Sequence, residues 1–125
     1  EAIFAHDVGG AVERSDFLIQ LTNDAWFGTF AGPEQHLAQA KMRSIEQGLP
    51  MARAANTGIS AMIDPYGRVL KSLALNEAGY VDASLPMPLP PTIYSKLGDL
   101  PIALLLIFVT FMALLPKMIF GRSHD

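Results

Sequence analysis

The sequence predicts an α/β layered domain, incomplete in its sheet, followed by one C-terminal transmembrane helix. Three observations carry that expectation. The run Asp16–Asn23, DFLIQLTN, is nearly continuous in apolar residues and reads as a buried strand. A helix-patterned stretch, Pro33–Gly48, separates it from further strand-like runs, and strand, helix and strand in succession make a sheet with a covering helix. The third is the segment Leu100–Phe120, LPIALLLIFVTFMALLPKMIF, which is apolar on every side.

Taken in order, Ala2–His6 reads as a short helical turn before Asp7, Gly9 and Gly10. The strand Asp16–Asn23 follows, its run Phe17, Leu18, Ile19 and Leu21 suggesting cover on both faces. Asp24–Gly32, DAWFGTFAG, is expected to be a loop. Its aromatics Trp26, Phe27 and Phe30 sit between glycines directly after a central strand, where loops often line pockets; folding back onto the core is the equal alternative. In the helix, Pro33 suits the first turn and Glu34 the positive end of the dipole, while Gly48 and Pro50 stop it. Leu37, Met42 and Ile45, with Ala38 and Ala40, form the expected buried stripe. His36 is placed as a cap or a solvent-facing residue, because no partner stands at metal-ligand spacing.

Met51–Asp64 reads as two strands around Asn56-Thr57-Gly58, a turn that needs an unusual backbone angle. Arg53, between alanines, is interior in character and requires a carboxylate, from within the chain in preference to a substrate. Asp64-Pro65-Tyr66-Gly67 is a hairpin signal, with Arg68–Leu75 as the returning strand. After a turn at Glu77–Gly79, Tyr80–Leu85 is expected as a last short strand. Pro86, Pro88, Pro90 and Pro91 then make an extended linker, so the chain divides into a domain over 1–85, a linker over 86–99, a membrane helix over 100–120 and a tail over 121–125.

The membrane expectation rests on length and polarity. Twenty-one helical residues span about 31 Å, matching a hydrocarbon core of roughly 30 Å. Thr110, the single polar residue between Ile102 and Leu115, can bond back to the preceding turn. Lys117 and Arg122 beyond the span place the tail in the cytoplasm and the domain across the membrane, in the periplasm of an inner-membrane protein. The competing reading is a core helix wrapped by protein.

Composition narrows the function. The 125 residues contain no cysteine, which excludes disulfides, thiolate–metal sites and a cysteine nucleophile within this chain. The net charge of −3 argues against a nucleic-acid surface. No metal or cofactor is expected. The absence of an initiating methionine at Glu1 suggests a piece of a longer protein.

Several segments taken together are more specific than any alone. LTNDAWFG at Leu21–Gly28, QHLAQAKMRSIEQGLP at Gln35–Pro50, ARAANTGISAMIDPYGRV at Ala52–Val69 and the terminal apolar segment resemble the C-terminal part of the bacterial apolipoprotein N-acyltransferase family. That family is a membrane-bound branch of the nitrilase-like, carbon–nitrogen hydrolase superfamily. The resemblance implies a nitrilase-like layered sandwich, of which this chain is the last quarter or so. It makes Glu1 the retained residue of a Cys-Tyr-Glu motif, in a supporting role, with the nucleophile, a glutamate base and a lysine upstream. Asn23, Trp26 and Phe27 become substrate-pocket candidates at the active-site mouth.

The implied reaction moves a fatty acyl chain from a membrane phospholipid, through a cysteine thioester, to the N-terminal amine of a diacylglyceryl-modified apolipoprotein at the lipid bilayer. The base moves the proton, the lysine steadies the oxyanion, and the membrane supplies proximity. This chain alone is expected to be inactive. The alternatives are a membrane-anchored, non-catalytic binding or assembly domain and a nitrilase-like amidase.

Overall fold

A computed structural model describes residue 8 and residues 13–120, with side chains as far as residue 115. Glu1, the expected turn at Ala2–His6 and the tail over 121–125 lie outside the described residues.

Four strands form one sheet in the order β1 (Leu18–Asn23), β2 (Met51–Asn56), β3 (Ser60–Ile63), β4 (Val69–Leu73). β1 and β2 run parallel, with Leu18 opposite Met51 and Asn23 opposite Asn56. Helix α1 (Gly32–Gln47) makes the crossover that a parallel pair requires. β2, β3 and β4 are antiparallel neighbours, and the register slips by one residue at Met62–Ile63.

Each element has a local cause. Pro33 occupies the first turn of α1. Gly48 ends it in the left-handed region at φ 64°, its N–H bonding to Ile45 O at 3.2 Å while Leu49 N–H bonds to Ser44 O at 3.1 Å. Arg14 reaches across to the freed carbonyl of Gln47 at 3.2 Å and to that of Leu89 at 2.6 Å, which tethers the late segment to the helix end. The Asp64 turn is held by its own carboxylate. Oδ1 accepts from the backbone N–H of Tyr66 and Arg68 at 2.9 and 2.8 Å, and Oδ2 from Arg68 Nε at 2.6 Å. Gly67, at φ 77°, supplies the one conformation in that turn that a side chain would strain.

The buried core is small: Ala40, Met51, Ala61 and Ile63, with Leu18 and Leu37 packed against it. The face of α1 that meets the sheet carries Pro33, His36, Ala40, Ser44 and Gln47. This corrects the expected stripe, since Met42 and Ile45 are 50% and 45% exposed. Small and polar side chains allow the helix to approach the sheet closely, so Leu37 packs at the edge of the contact while Met42 and Ile45 turn away from it. β1 also departs from expectation. Gln20 is buried against the helix, whereas Ile19 and Leu21 stand on the opposite face at 63% and 79% exposure. Among the described residues α1 covers one face of the sheet, while Ile19 and Leu21 on the other face stay exposed.

The turn after β1 is more regular than expected, forming a 3-10 helix over Asp24–Phe27. Tyr80–Leu85 is not a strand; it lies near β4 but pairs with nothing, and is tied there through Lys71 Nζ donating to Asp82 O at 2.6 Å. The proline-rich stretch is irregular as expected, but the segment toward residue 99 contains a short helix α2 (Ile93–Leu97), started by the Thr92 hydroxyl on Ser95 N–H at 3.0 Å.

Helix α3 (Leu100–Phe120) follows. Among the described residues, no helix is long and apolar enough to cross a membrane. The transmembrane helix expected over 100–120 is corrected to that extent. Residues 100–115, whose side chains are described, make about 24 Å of helix, short of a hydrocarbon core of roughly 30 Å. The orientation drawn from a span loses its basis with it. What remains is a helix with bare apolar sides: Ile102, Leu106 and Phe108 are each about 60% exposed. Thr110 Oγ1 bonds back to Leu106 O at 2.8 Å, as its sequence position implied.

Candidate functional site

The parallel pair β1–β2 ends in two asparagines side by side. Ligand sites in open α/β sheets gather at such carboxyl ends, where the chain turns outward into loops. Asn56 Nδ2 donates to Asn23 Oδ1 at 3.3 Å, and the same oxygen caps the 3-10 helix by accepting from Ala25 N–H at 3.1 Å. Both residues are exposed. Asn23 is therefore a loop-holding residue at a solvent-facing rim, with its oxygen already doubly engaged.

Beyond this rim stand the aromatics. Trp26 is 83% and Phe30 92% exposed, so neither folds back onto the core of the chain. Phe27 is less exposed, at 42%, with its ring edge-on to His36 at 5.1 Å between centroids. Gly32 permits this packing, since a Cβ there would lie 2.6 Å from Phe27 Cβ. The sequence reading thus brought three residues to one loop, and the structure puts Asn23, Trp26 and Phe27 on three distinct environments of it. Glu1 lies outside the described residues.

Beneath the rim is a buried polar ring. Asp24 is fully buried and sits directly after β1. Its Oδ2 accepts from Arg53 on β2 at 2.6 Å and its Oδ1 bonds His36 Nδ1 on α1 at 2.8 Å. Arg53 also donates to Gln20 Oε1 on β1 at 2.5 Å, and Gln20 Nε2 closes the ring on His36 Nε2 at 3.2 Å. Arg53 Nε donates to Ile59 O at 3.1 Å, tying in the β2–β3 turn. Burial pulls the Arg53 guanidinium below its ordinary value, and Asp24 beside it works against that pull.

The β2–β3 turn touches the same ring. Thr57 takes the left-handed conformation at φ 58°, so the unusual angle expected at Asn-Thr-Gly falls on the threonine. Gly58 is needed for a different reason: a Cβ there would lie 2.2 Å from Asp24 Oδ2. The internal carboxylate expected for Arg53 is Asp24. His36, in contrast, neither caps nor faces solvent; it is 3% exposed and bonded on both ring nitrogens. Sequence reasoning passed over Asp24 and Gln20. The available signal was positional: Gln20 interrupts an apolar strand, and His36, Ala40, Ser44 and Gln47 recur at helical spacing on the side that lacks bulky residues.

A sheet with α1 on one face, a glycine-tight turn at its strand ends and a buried Asp–Arg–His ring beneath its rim defines an α/β protein with a loop-built site. Residues 11–89 match the carbon-nitrogen hydrolase family, and the chain belongs to that family. Its similarity to curated proteins is narrower still. It is 55% identical over 113 residues to the apolipoprotein N-acyltransferase of Bradyrhizobium diazoefficiens, covering 90% of this chain and 21% of that protein. The apolipoprotein N-acyltransferase of Rhodopseudomonas palustris is 51% identical over 117 residues, covering 94% and 22%. That of Rickettsia prowazekii is 43% identical over 123 residues, covering 98% and 25%. The chain spans about a fifth to a quarter of the length of these relatives.

Proposed function

We propose that this chain is part of an apolipoprotein N-acyltransferase working at the bacterial inner membrane. The observation that carries the reading is identity of 43–55% to proteins of that name, extending across nearly the whole chain and beyond the carbon-nitrogen hydrolase match into α3. In this reading the whole protein takes an acyl chain from a phospholipid onto a cysteine and passes it to the N-terminal amine of a diacylglyceryl-modified apolipoprotein. The thiolate attacks the ester carbonyl, lysophospholipid leaves, and the amine then displaces the thiolate. This chain has no cysteine, so in this reading the nucleophile belongs to another part of the whole protein, together with the glutamate base and the lysine that the family resemblance implies.

The contribution of this chain is the rim. Asn23, Trp26 and Phe27 form one wall of the entry, with Trp26 and Phe30 offering bare aromatic surface to a lipid chain. Glu1 supports the nucleophile region. The bare apolar sides of α3 support a position in lipid or against other apolar parts of the protein.

The test is an acylation assay on the intact protein, with labelled phospholipid and a diacylglyceryl-cysteine lipopeptide. Label transfer to the peptide amine, blocked by thiol alkylation, is expected; residues 1–125 alone should give none. Release of ammonia from amides without acyl transfer would select the amidase reading. Peptide binding with neither reaction would select the non-catalytic module.

A further inference from the structure

The buried ring beneath the rim fixes the state of its histidine. Arginine has donors only, so Arg53 must meet the amide oxygen of Gln20, as it does at 2.5 Å. The amide nitrogen of Gln20 then faces His36 Nε2 at 3.2 Å and can only donate to it. His36 Nε2 is left as an acceptor, and the ring proton belongs on Nδ1, where it is donated to Asp24 Oδ1 at 2.8 Å. Asp24 and Arg53 cancel in charge, so a neutral His36 leaves the ring balanced in a site closed to water.

We propose that His36 is a positioning residue, held neutral as the Nδ1–H tautomer, which fixes Asp24 and through it the loop carrying Asn23, Trp26 and Phe27. The groups facing His36 are Asp24 from the 3-10 helix, Gln20 from β1 and the Phe27 ring, with Arg53 of β2 one bond further. Asp24 starts the 3-10 helix, and Phe27 at the other end rests on the His36 ring. The histidine therefore holds both ends of the turn whose outer face is the rim. The inference rests on the acyltransferase reading for its kinetic consequence, but not for its chemistry.

Two variants separate positioning from space-filling. Asparagine places an amide donor where Nδ1 stood; glutamine is nearer histidine in volume but places its amide at the Nε2 end. In the intact protein, His36→Asn should keep acyl-transfer kcat/KM within about threefold, while His36→Gln should lose about ten- to a hundredfold, a misplaced loop being that costly. Equal or reversed ranking would overturn the proposal. Nitrogen NMR of the histidine-labelled intact protein, with His36 assigned by its loss in His36→Gln, should show a protonated Nδ1 and a bare Nε2 at neutral pH. A protonated Nε2 would overturn it as well. This second measurement needs no turnover, so it decides the ring even where the transferase reading fails.

Discussion

Individual side chains in this protein do work that their type alone does not announce. Arg53 and Asp24 are a buried pair at 2.6 Å, and removing one partner strands the other charge in a dry site. Arg53→Met should therefore cost about 3–5 kcal/mol in denaturant unfolding. Gly58→Ala brings a methyl to 2.2 Å from Asp24 Oδ2 and should cost about 1–3 kcal/mol by overpacking, read in the same experiment. Asp64 acts through protonation. Burial alone would raise its carboxyl, but the hydrogen bonds from Arg68 and Tyr66 outweigh this and hold it below the ordinary carboxylate range. A carboxyl lowered on folding stabilises the folded state above the unfolded value of about 4, and that contribution disappears as pH falls through the folded value. Melting temperature should thus fall with acid below about pH 4, and Asp64→Asn should flatten that limb while lowering the plateau.

At the scale of elements, the C-terminal end of α1 is closely packed against the proline-rich segment. Gly48 is left-handed, and a side chain there would meet Thr92 Cγ2 at 3.0 Å and Pro90 O at 3.3 Å. Gly48→Ala should cost about 1–2 kcal/mol from the backbone alone and loosen the proline-rich segment. Limited proteolysis between residues 86 and 92 would reveal the loosening. The elements themselves were largely legible. Proline at the start and glycine at the end bounded α1, and Asp-Pro-Tyr-Gly announced the β3–β4 hairpin, because these signals act on the local backbone. Tyr80–Leu85 was misread, since its alternation suits a strand but pairing depends on a neighbour with free backbone groups. The helix stripe was misread too. Leu37 and Ala40 meet the core as expected, but whether Met42 and Ile45 or His36 and Ser44 complete the buried face is set by how closely the helix must approach.

For the whole molecule, the decisive quantity is uncovered apolar surface. Ile19 and Leu21 on one sheet face and the sides of α3 are bare among the described residues. Patches of this kind drive association in water. Residues 1–125 produced alone should sediment as large oligomers, and mild detergent should disperse them; a monodisperse monomer without detergent would contradict this. The same surface fits a chain that covers only about a fifth to a quarter of its relatives.

By itself the sequence determined the α/β class, the succession β1, α1, β2, β3 and β4, the turn chemistry and the family resemblance, because each is written in local backbone preference or in contiguous motifs. That Asn23, Trp26 and Phe27 share one turn was legible too, since they are neighbours along the chain. Tertiary structure alone decided the ring beneath them. Gln20, Asp24, His36 and Arg53 come from two strands, a turn and a helix, and none is a neighbour in sequence of its partner. Their meeting depends on the parallel register of β1 with β2 and on the depth at which α1 sits. A histidine without a partner in sequence therefore became one with two in space.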